Sequence, residues 1–185
     1  MNKYQDVIRI LGLEPLPFEG GLWKKSCFSD QLMPDGTMGY PHERPFYGAI
    51  YYLLTPDTCS LMHRIVADEI WYHHSGPAVR LLLIHPDGKS EIKILGQDLM
   101  RGERPQIRVK RGTWQGAALD PGSIEREASL AGDPDDTIYT LMSTSMAPEY
   151  LDSDFEAGTF DDLKPYVHEK DHDLLRFLTG DKKEY

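Results

Sequence analysis

The fold is decided by a stretch in the middle of the chain, His63-Arg64-Ile65-Val66-Ala67-Asp68-Glu69-Ile70-Trp71-Tyr72-His73-His74-Ser75-Gly76. Successive side chains on a strand point to opposite faces, so Glu69, Trp71 and His73 share one face of the strand predicted here. His63 ends the preceding strand and lies opposite Glu69 across a short turn. The stretch therefore predicts two antiparallel strands that line a cavity with imidazole, carboxylate and indole groups.

Short apolar segments separated by Pro, Gly and Asp continue on both sides of this stretch. The predicted strands are 22–28, 46–54, 60–65, 69–74, 79–84, 90–95, 106–109, 113–119 and 137–146. Pro86-Asp87-Gly88, between two of them, predicts a tight hairpin because Asp and Gly tolerate the backbone angles of such turns. Many short strands at this spacing indicate an all-β sandwich or barrel.

The ends of the chain have a different character. Apolar residues recur at helical spacing over 3–11, where Gly12 supplies a stop, and again over 171–178. The acidic, turn-rich residues 120–136 are predicted to form a solvated loop. We therefore expect one domain over residues 1–156, with a helical extension over 157–185 that packs on the domain.

Composition restricts the classes of function. The 185 residues suffice for one apolar core, and 30 acidic against 20 basic residues give a net charge of −10. This charge disfavours a nucleic-acid partner, which needs clustered cations. Without an apolar run of membrane or signal length, we expect no membrane association and a cytoplasmic location. Cys27 and Cys59 form no metal or redox motif and are predicted to be buried free thiols.

Two motifs connect the sequence with a known superfamily. The cupins carry a first motif of Gly, His-x-His, a Glu three or four residues later, and a closing Gly; His63, Glu69 and Gly76 fit it, and Ile65 replaces the second His. The second motif, Pro-x-Gly-x-x-His, matches the frame of Lys110-Arg111-Gly112-Thr113-Trp114-Gln115, with Gln115 in place of His. The chain thus resembles the cupins, with two of the four usual metal positions altered.

A closer resemblance is to the cupin-5 branch, whose function is largely unknown. It rests on Asp68-Glu69-Ile70-Trp71 and Gly112-Thr113-Trp114-Gln115-Gly116, and it covers roughly residues 3–156. Departures occur at Leu16-Pro17-Phe18-Glu19-Gly20-Gly21, where the branch has His-Pro-Glu-Gly-Gly, and at Lys24, where it has Arg. The resemblance implies a double-stranded β-helix, or jelly roll, with short terminal helices, a homodimer, and kinship in shape with metal-free sugar-nucleotide epimerases.

These residues leave several functions open. The first is metal-independent binding of a small polar or sugar-like molecule, with Trp71, Gln115, Trp114 and Lys24 as ligand contacts. The second is an epimerase-like or isomerase-like enzyme in which His63 and Glu69 form an acid–base pair. Its opposing proton donor would be Tyr51 or His73.

Two further alternatives are a metal-dependent enzyme and a purely structural role. If a divalent metal is bound, its ligands would be His63, Glu69 and Gln115, which is a poor set because a neutral amide donates little charge. We therefore expect no cofactor.

Overall fold

The computed structural model describes residues 3–130 and 138–181. Within these residues it contains thirteen strands and four α-helices. The strands are β1 Glu14–Pro15, β2 Leu22–Phe28, β3 Leu32–Met33, β4 Arg44–Pro45, β5 Gly48–Leu54, β6 Ser60–Arg64, β7 Glu69–Ser75, β8 Val79–Ile84, β9 Ser90–Leu95, β10 Gln106–Val109, β11 Trp114–Leu119, β12 Thr140–Met146 and β13 Glu156–Ala157. The helices are α1 Lys3–Leu11, α2 Pro121–Leu130, α3 Phe160–Leu163 and α4 His172–Leu178.

Two antiparallel sheets contain most of these strands. The six-stranded sheet has the order β1-β2-β5-β12-β7-β10 and the five-stranded sheet has the order β13-β6-β11-β8-β9. From β5 onward the chain crosses repeatedly from one sheet to the other, which is the path of a jelly roll. The all-β, jelly-roll fold class is thereby confirmed, as is the predicted hairpin, in which Ile84 pairs with Ser90 around Gly88.

The main core lies between the two sheets. It consists of inward-pointing side chains from both, namely Tyr52, Leu54, Trp71, Val79, Leu81, Leu83, Leu95, Ile107, Val109, Ala117, Leu119 and Met142. Alternation explains its composition: on β8, for example, Val79, Leu81 and Leu83 face the other sheet while Leu82 and Ile84 point outward.

A second apolar cluster covers the outer face of the five-stranded sheet. Leu174, Leu175 and Leu178 of α4 pack there with Met62 and Ala118, together with side chains from α3. This explains why β8 is apolar on both faces, since each face is buried against a different partner. No helix within residues 3–130 and 138–181 is long and apolar enough to span a membrane.

Two local predictions are wrong. Within the expected loop 120–136, Pro121–Leu130 form α2, and residues 131–136 lie outside the described part of the chain. The Asp120 carboxylate accepts a hydrogen bond from the Ser123 N–H at 2.9 Å, which caps the helix. Of the two free thiols, Cys59 is buried as expected but Cys27 is exposed, because it lies in the part of edge strand β2 beyond its pairing with β1, where every residue from Lys24 to Phe28 is exposed.

The remaining differences are short elements that the sequence did not predict, namely β1, β3, β4, β13 and α3, and shifts of element boundaries. The strand predicted over 46–54 begins at Gly48, and the strand predicted over 137–146 begins at Thr140, while Thr137 is not among the described residues. The predicted helix 171–178 begins at His172 and residues 182–185 are likewise not described.

Candidate functional site

Four polar or aromatic side chains meet between the sheets near the end of the fold formed by the turn 65–68. His63 on β6 pairs in register with Gln115 on β11, and Glu69 and Trp71 project from β7 in the opposite sheet. All four are buried: Trp71 and Gln115 are 0% exposed, His63 is 2% exposed and Glu69 is 8% exposed. Buried polar groups need partners, so their hydrogen bonds define the site.

Gln115 joins the four side chains into one network. Its Nε2 donates to Glu69 Oε2 at 2.6 Å and lies 3.1 Å from His63 Nε2. Its Oε1 accepts from the Trp71 indole N–H at 3.1 Å, and that N–H also lies 3.1 Å from Glu69 Oε2. Gln115 therefore lies between His63 and Glu69, and the direct His–Glu pair that an acid–base dyad requires does not occur among the hydrogen bonds of the described residues.

The hydrogen bonds of the network involve both ring nitrogens of His63. The Gln115 oxygen faces the Trp71 indole N–H, which can only donate, and the Gln115 amide nitrogen faces His63 and Glu69. His63 Nε2 therefore accepts, while Nδ1 lies 2.7 Å from the carbonyl oxygen of Leu61 and must carry the ring proton. Both ring nitrogens of His63 are therefore engaged by protein groups.

Glu69 is the unusual titratable group of the site. Burial raises the pKa of its carboxyl, and the nearby charge of Glu19 raises the pKa further. The charge of His63 and the hydrogen bonds from Thr144 and Gln115 act in the opposite direction and lower it. Glu19 arrives from the loop before β2, where its carbonyl accepts from the Leu61 N–H at 2.8 Å and its carboxylate accepts from the Ser60 hydroxyl at 2.7 Å. The site thus contains two carboxyl groups within electrostatic reach of each other.

The segment after β12 covers His63. The Phe155 ring stacks on the imidazole with centroids 5.3 Å apart and planes inclined by 17°. Its neighbour Asp154 is held by Arg44, at 2.5 Å and 3.2 Å, in an ion pair that is almost fully buried. Farther back in the segment, burial and the charges of Asp152 and Glu19 raise the pKa of Tyr150 to about 12.

Several predicted site residues lie elsewhere. Tyr52 points into the core, so Tyr51 occupies the outer face of β5, in register with Lys24, which pairs with Glu14 at 3.3 Å. Trp114 also points outward, where the Arg64 guanidinium lies 4.6 Å from its ring centroid.

His73 does face inward, on the same strand face as Glu69 and Trp71. Its Nε2 lies 3.1 Å from the carbonyl oxygen of Pro77, beyond Trp71 along β7. The structure therefore brings together His63, Glu69, Trp71 and Gln115, and it does not bring Tyr51, Lys24, Trp114 or His73 into their network.

Three residues of the site escaped the sequence analysis. Thr144 belongs to a strand that was predicted, but its partner Glu69 is distant in sequence. Phe155 and Glu19 lie in irregular segments that no periodicity places. The Glu-Gly-Gly run at 19–21 was a usable signal for Glu19, because Gly20 and Gly21 both have positive φ and Gly21 closely approaches the backbone and side chains of β5.

The side chains do not fit a cupin-type metal. Within the described residues, no three His, Cys, Asp or Glu side chains converge on a common point that could hold an ion. Gln115 also turns its amide nitrogen, not its oxygen, toward His63 and Glu69. A cation at that position would meet N–H groups rather than lone pairs, so the lining does not suit a bound cation.

Comparison with known proteins agrees with this architecture. The family model described as Cupin superfamily (DUF985), Cupin_5, matches residues 5–158. The chain belongs to the cupin superfamily. The matched residues include both sheets and all four residues of the network, His63, Glu69, Trp71 and Gln115. No curated protein matches the sequence significantly.

Solved structures resemble this cupin over most of its length. A protein from Shewanella oneidensis is 27% identical with a TM-score of 0.75, over 97% of this chain and 98% of that one. A hypothetical protein from Leishmania major is 27% identical with a TM-score of 0.69, over 87% and 90%. A cupin-2 domain protein from Rhodospirillum rubrum is 11% identical with a TM-score of 0.55, over 91% of each chain, and shares the fold.

Proposed function

We propose that this cupin binds a small polar molecule between its two sheets, in contact with Glu69 and without a metal. The observation that carries the proposal is the network in which Gln115 links His63, Glu69 and Trp71. A fixed set of donors and acceptors beside apolar walls is typical of small-molecule sites. Glu69 is the most exposed member of the network, so it is the group that a ligand would meet first.

Aromatic side chains supply the apolar part of such a site. Phe155 covers the His63 imidazole, and Tyr150 lies close enough to Glu19 for the carboxylate to affect its pKa. Flat rings next to hydrogen-bonding groups suit a ligand with one apolar face and several polar groups, as a sugar has. This favours a sugar-like ligand over a wholly apolar one.

Binding is favoured over catalysis by the hydrogen-bond contacts of His63. A general base needs a free lone pair within reach of the substrate, but Nε2 of His63 is engaged by Gln115 and Nδ1 by the Leu61 carbonyl. Catalysis by His63 would first require Gln115 to move, which would also break the bond from Trp71.

Acid–base catalysis by Glu69 is the second candidate. Its raised pKa keeps a larger share of the carboxyl protonated near neutral pH than in a solvent-exposed Glu, so it could deliver or remove a proton at a bound ligand. In this isomerase-like alternative, Glu69 exchanges a proton with the ligand, and Gln115 orients the Glu69 carboxyl group.

A thermal-shift screen tests the proposal. Any ligand that binds only the folded state raises the Tm, so sugars, polyols and small amines are screened with the wild type. Hits should lose their shift in Glu69→Gln and Gln115→Met and keep it in Glu91→Gln, which changes an exposed glutamate on β9. Shifts that persist in both site variants would show that the ligand binds elsewhere.

Incubating each hit in D₂O separates the two candidates. Deuterium at a ligand carbon, lost in Glu69→Gln, would establish the isomerase-like enzyme, whereas binding without exchange supports the binding protein. Metal analysis of protein purified without a chelating tag completes the test. A stoichiometric transition metal that is lost in His63→Ala would refute metal-free binding.

We also propose a homodimer. β1 pairs only with Leu22 and Trp23, so the outer edge of β2 from Lys24 to Phe28 has no partner strand among the described residues. Exposed apolar side chains follow in the chain at the end of β2 and beyond it, namely Phe28, Leu32, Met38, Phe46 and Tyr47. A second copy related by a two-fold axis would pair with this edge and cover these side chains. Light scattering should give twice the chain mass, and a monomeric mass would refute the dimer.

A further inference from the structure

Resting on the proposed function, we infer that the ligand is an uncharged or positively charged molecule rich in hydroxyl or amino groups, and that Glu19 and Thr113 select it. Glu19 would favour positive charge, and Thr113 would form an additional hydrogen bond. Both residues lie outside the network around Gln115. Specificity for the ligand would therefore come from residues that the network does not include.

Glu19 is held in place as a second carboxylate of the site. Its backbone carbonyl and its side chain are both fixed by β6, through the Leu61 N–H and the Ser60 hydroxyl. The next residue, Gly20, accepts a hydrogen bond from the Tyr52 hydroxyl at 2.8 Å, which fixes the loop against β5 as well. This anchoring to both sheets keeps the carboxylate near Glu69, although two like charges repel each other.

Thr113 supplies an independent indication of a ligand. Its side chain is 1% exposed, and its hydroxyl has no hydrogen-bond partner among the described residues. Thr113 immediately precedes β11, in which Trp114 points outward and Gln115 inward, so continued alternation places the Thr113 side chain on the inner face with Gln115. An unpaired buried hydroxyl is unfavourable, and a ligand with hydrogen-bonding groups would satisfy it.

His63 is the basic side chain whose charge acts on Glu69, where it lowers the pKa of the carboxyl. No lysine or arginine within residues 3–130 and 138–181 forms an ion pair with Glu19 or Glu69. Arg44 pairs with Asp154, and Arg64 lies on the outer face, paired with Glu156. A phosphate or carboxylate placed beside Glu69 would lose its hydration and be repelled, whereas an ammonium group would be attracted.

Matched ligands test the charge preference. Glucosamine, glucose, glucose 6-phosphate and gluconate have similar size but carry positive, zero and negative charge. Calorimetry at fixed ionic strength should detect glucosamine and glucose, with glucosamine tighter, and no binding of the two anions. In Glu19→Gln the preference for glucosamine over glucose should fall about tenfold. Glu14→Gln, an exposed glutamate on β1, should leave that preference unchanged.

Removing the Thr113 hydroxyl should not lower the stability of the free protein but should weaken its affinity for the ligand. Thr113→Val keeps the shape and removes the unpaired hydroxyl, so the Tm of the free protein should stay constant or rise by about 2–4 °C. Affinity for glucosamine and glucose should nevertheless fall about tenfold, and Thr113→Ser should restore it. Unchanged affinity in Thr113→Val would overturn the role of Thr113.

The other possible results distinguish a wrong charge preference from the absence of a small-molecule site. Binding of glucose 6-phosphate or gluconate that is lost in Glu69→Gln would overturn the charge preference and leave a small-molecule site in place. An unchanged glucosamine preference in Glu19→Gln would overturn the role of Glu19. Absence of binding by all four compounds would overturn the inference, while the broader Tm screen decides the proposed function.

Discussion

Breaking the buried ion pair between Arg44 and Asp154 should destabilise the protein strongly. The two side chains are 0% and 1% exposed, and they form bonds of 2.5 Å and 3.2 Å. Arg44 also donates to the carbonyl of Pro41 at 2.6 Å, so the pair ties the chain before β4 to the segment that carries Phe155. Removing one partner leaves the other as an uncompensated buried charge.

The expected magnitude follows from this burial. Loss of one member of a buried pair costs about 3–5 kcal/mol of unfolding free energy. For a domain of this size, each kcal/mol corresponds to about 2–4 °C in Tm. Asp154→Leu and Arg44→Met should therefore each lower the Tm by roughly 6–20 °C. The double variant should be more stable than the sum of the two losses predicts, because it leaves no unpaired charge.

Urea unfolding and thermal melts of the wild type, both single variants and the double variant measure this cycle. The matched control is Glu156→Gln, which breaks the pair that Arg64 forms two residues farther along the same segment. That pair is 40% and 54% exposed, so its loss should cost less than about 1 kcal/mol. If Asp154→Leu is no more destabilising than Glu156→Gln, or if the two single effects simply add, the reasoning from burial is refuted.

Three further predictions concern the site, the C-terminal helix and α2. Because the pKa of Glu69 is raised in the folded protein, the folded state keeps this proton at pH values above about 4.3, where the unfolded chain has lost it. The free energy of unfolding therefore falls as the pH rises towards and through the folded pKa. Glu69→Gln should be more stable than the wild type at pH 7 and show no advantage at pH 4 in urea unfolding. Leu175→Ala should lower the unfolding free energy by about 2–5 kcal/mol, because Leu175 is fully buried, and Phe177→Ala on the exposed side of α4 should cost far less. Asp120→Ala removes the cap of α2 and should cost about 1 kcal/mol with reduced helical circular dichroism; unchanged values would contradict capping.

The regular parts of the fold could be predicted from the sequence because they depend on local periodicity. Strands β2, β8, β9 and β10 and helix α1 have the predicted boundaries. α2 was missed because its only buried residue is Ser123, so no apolar stripe marks it. Its signals were an Asp at the N-cap followed by Pro121 in the first turn, and these were outweighed by the acidic composition of the surroundings.

The site was predictable only where a strand fixed the direction of its side chains. Glu69, Trp71 and Gln115 follow from alternation on β7 and β11. Tyr51 and Tyr52 are adjacent, so alternation requires one to face inward and the other outward, but it does not say which. Glu19 reaches the site through contacts from an irregular loop to a distant strand, and no local pattern predicts such contacts.

Trp71 gives this protein a built-in optical reporter. Its indole N–H contacts both Glu69 and Gln115, and its ring is fully buried, whereas the rings of Trp23 and Trp114 pack outside the network. A change in the charge of Glu69 or a shift of Gln115 alters the electrostatic field at the indole directly. The contribution of Trp71 to the emission of the three tryptophans should therefore change with occupancy and protonation of the site.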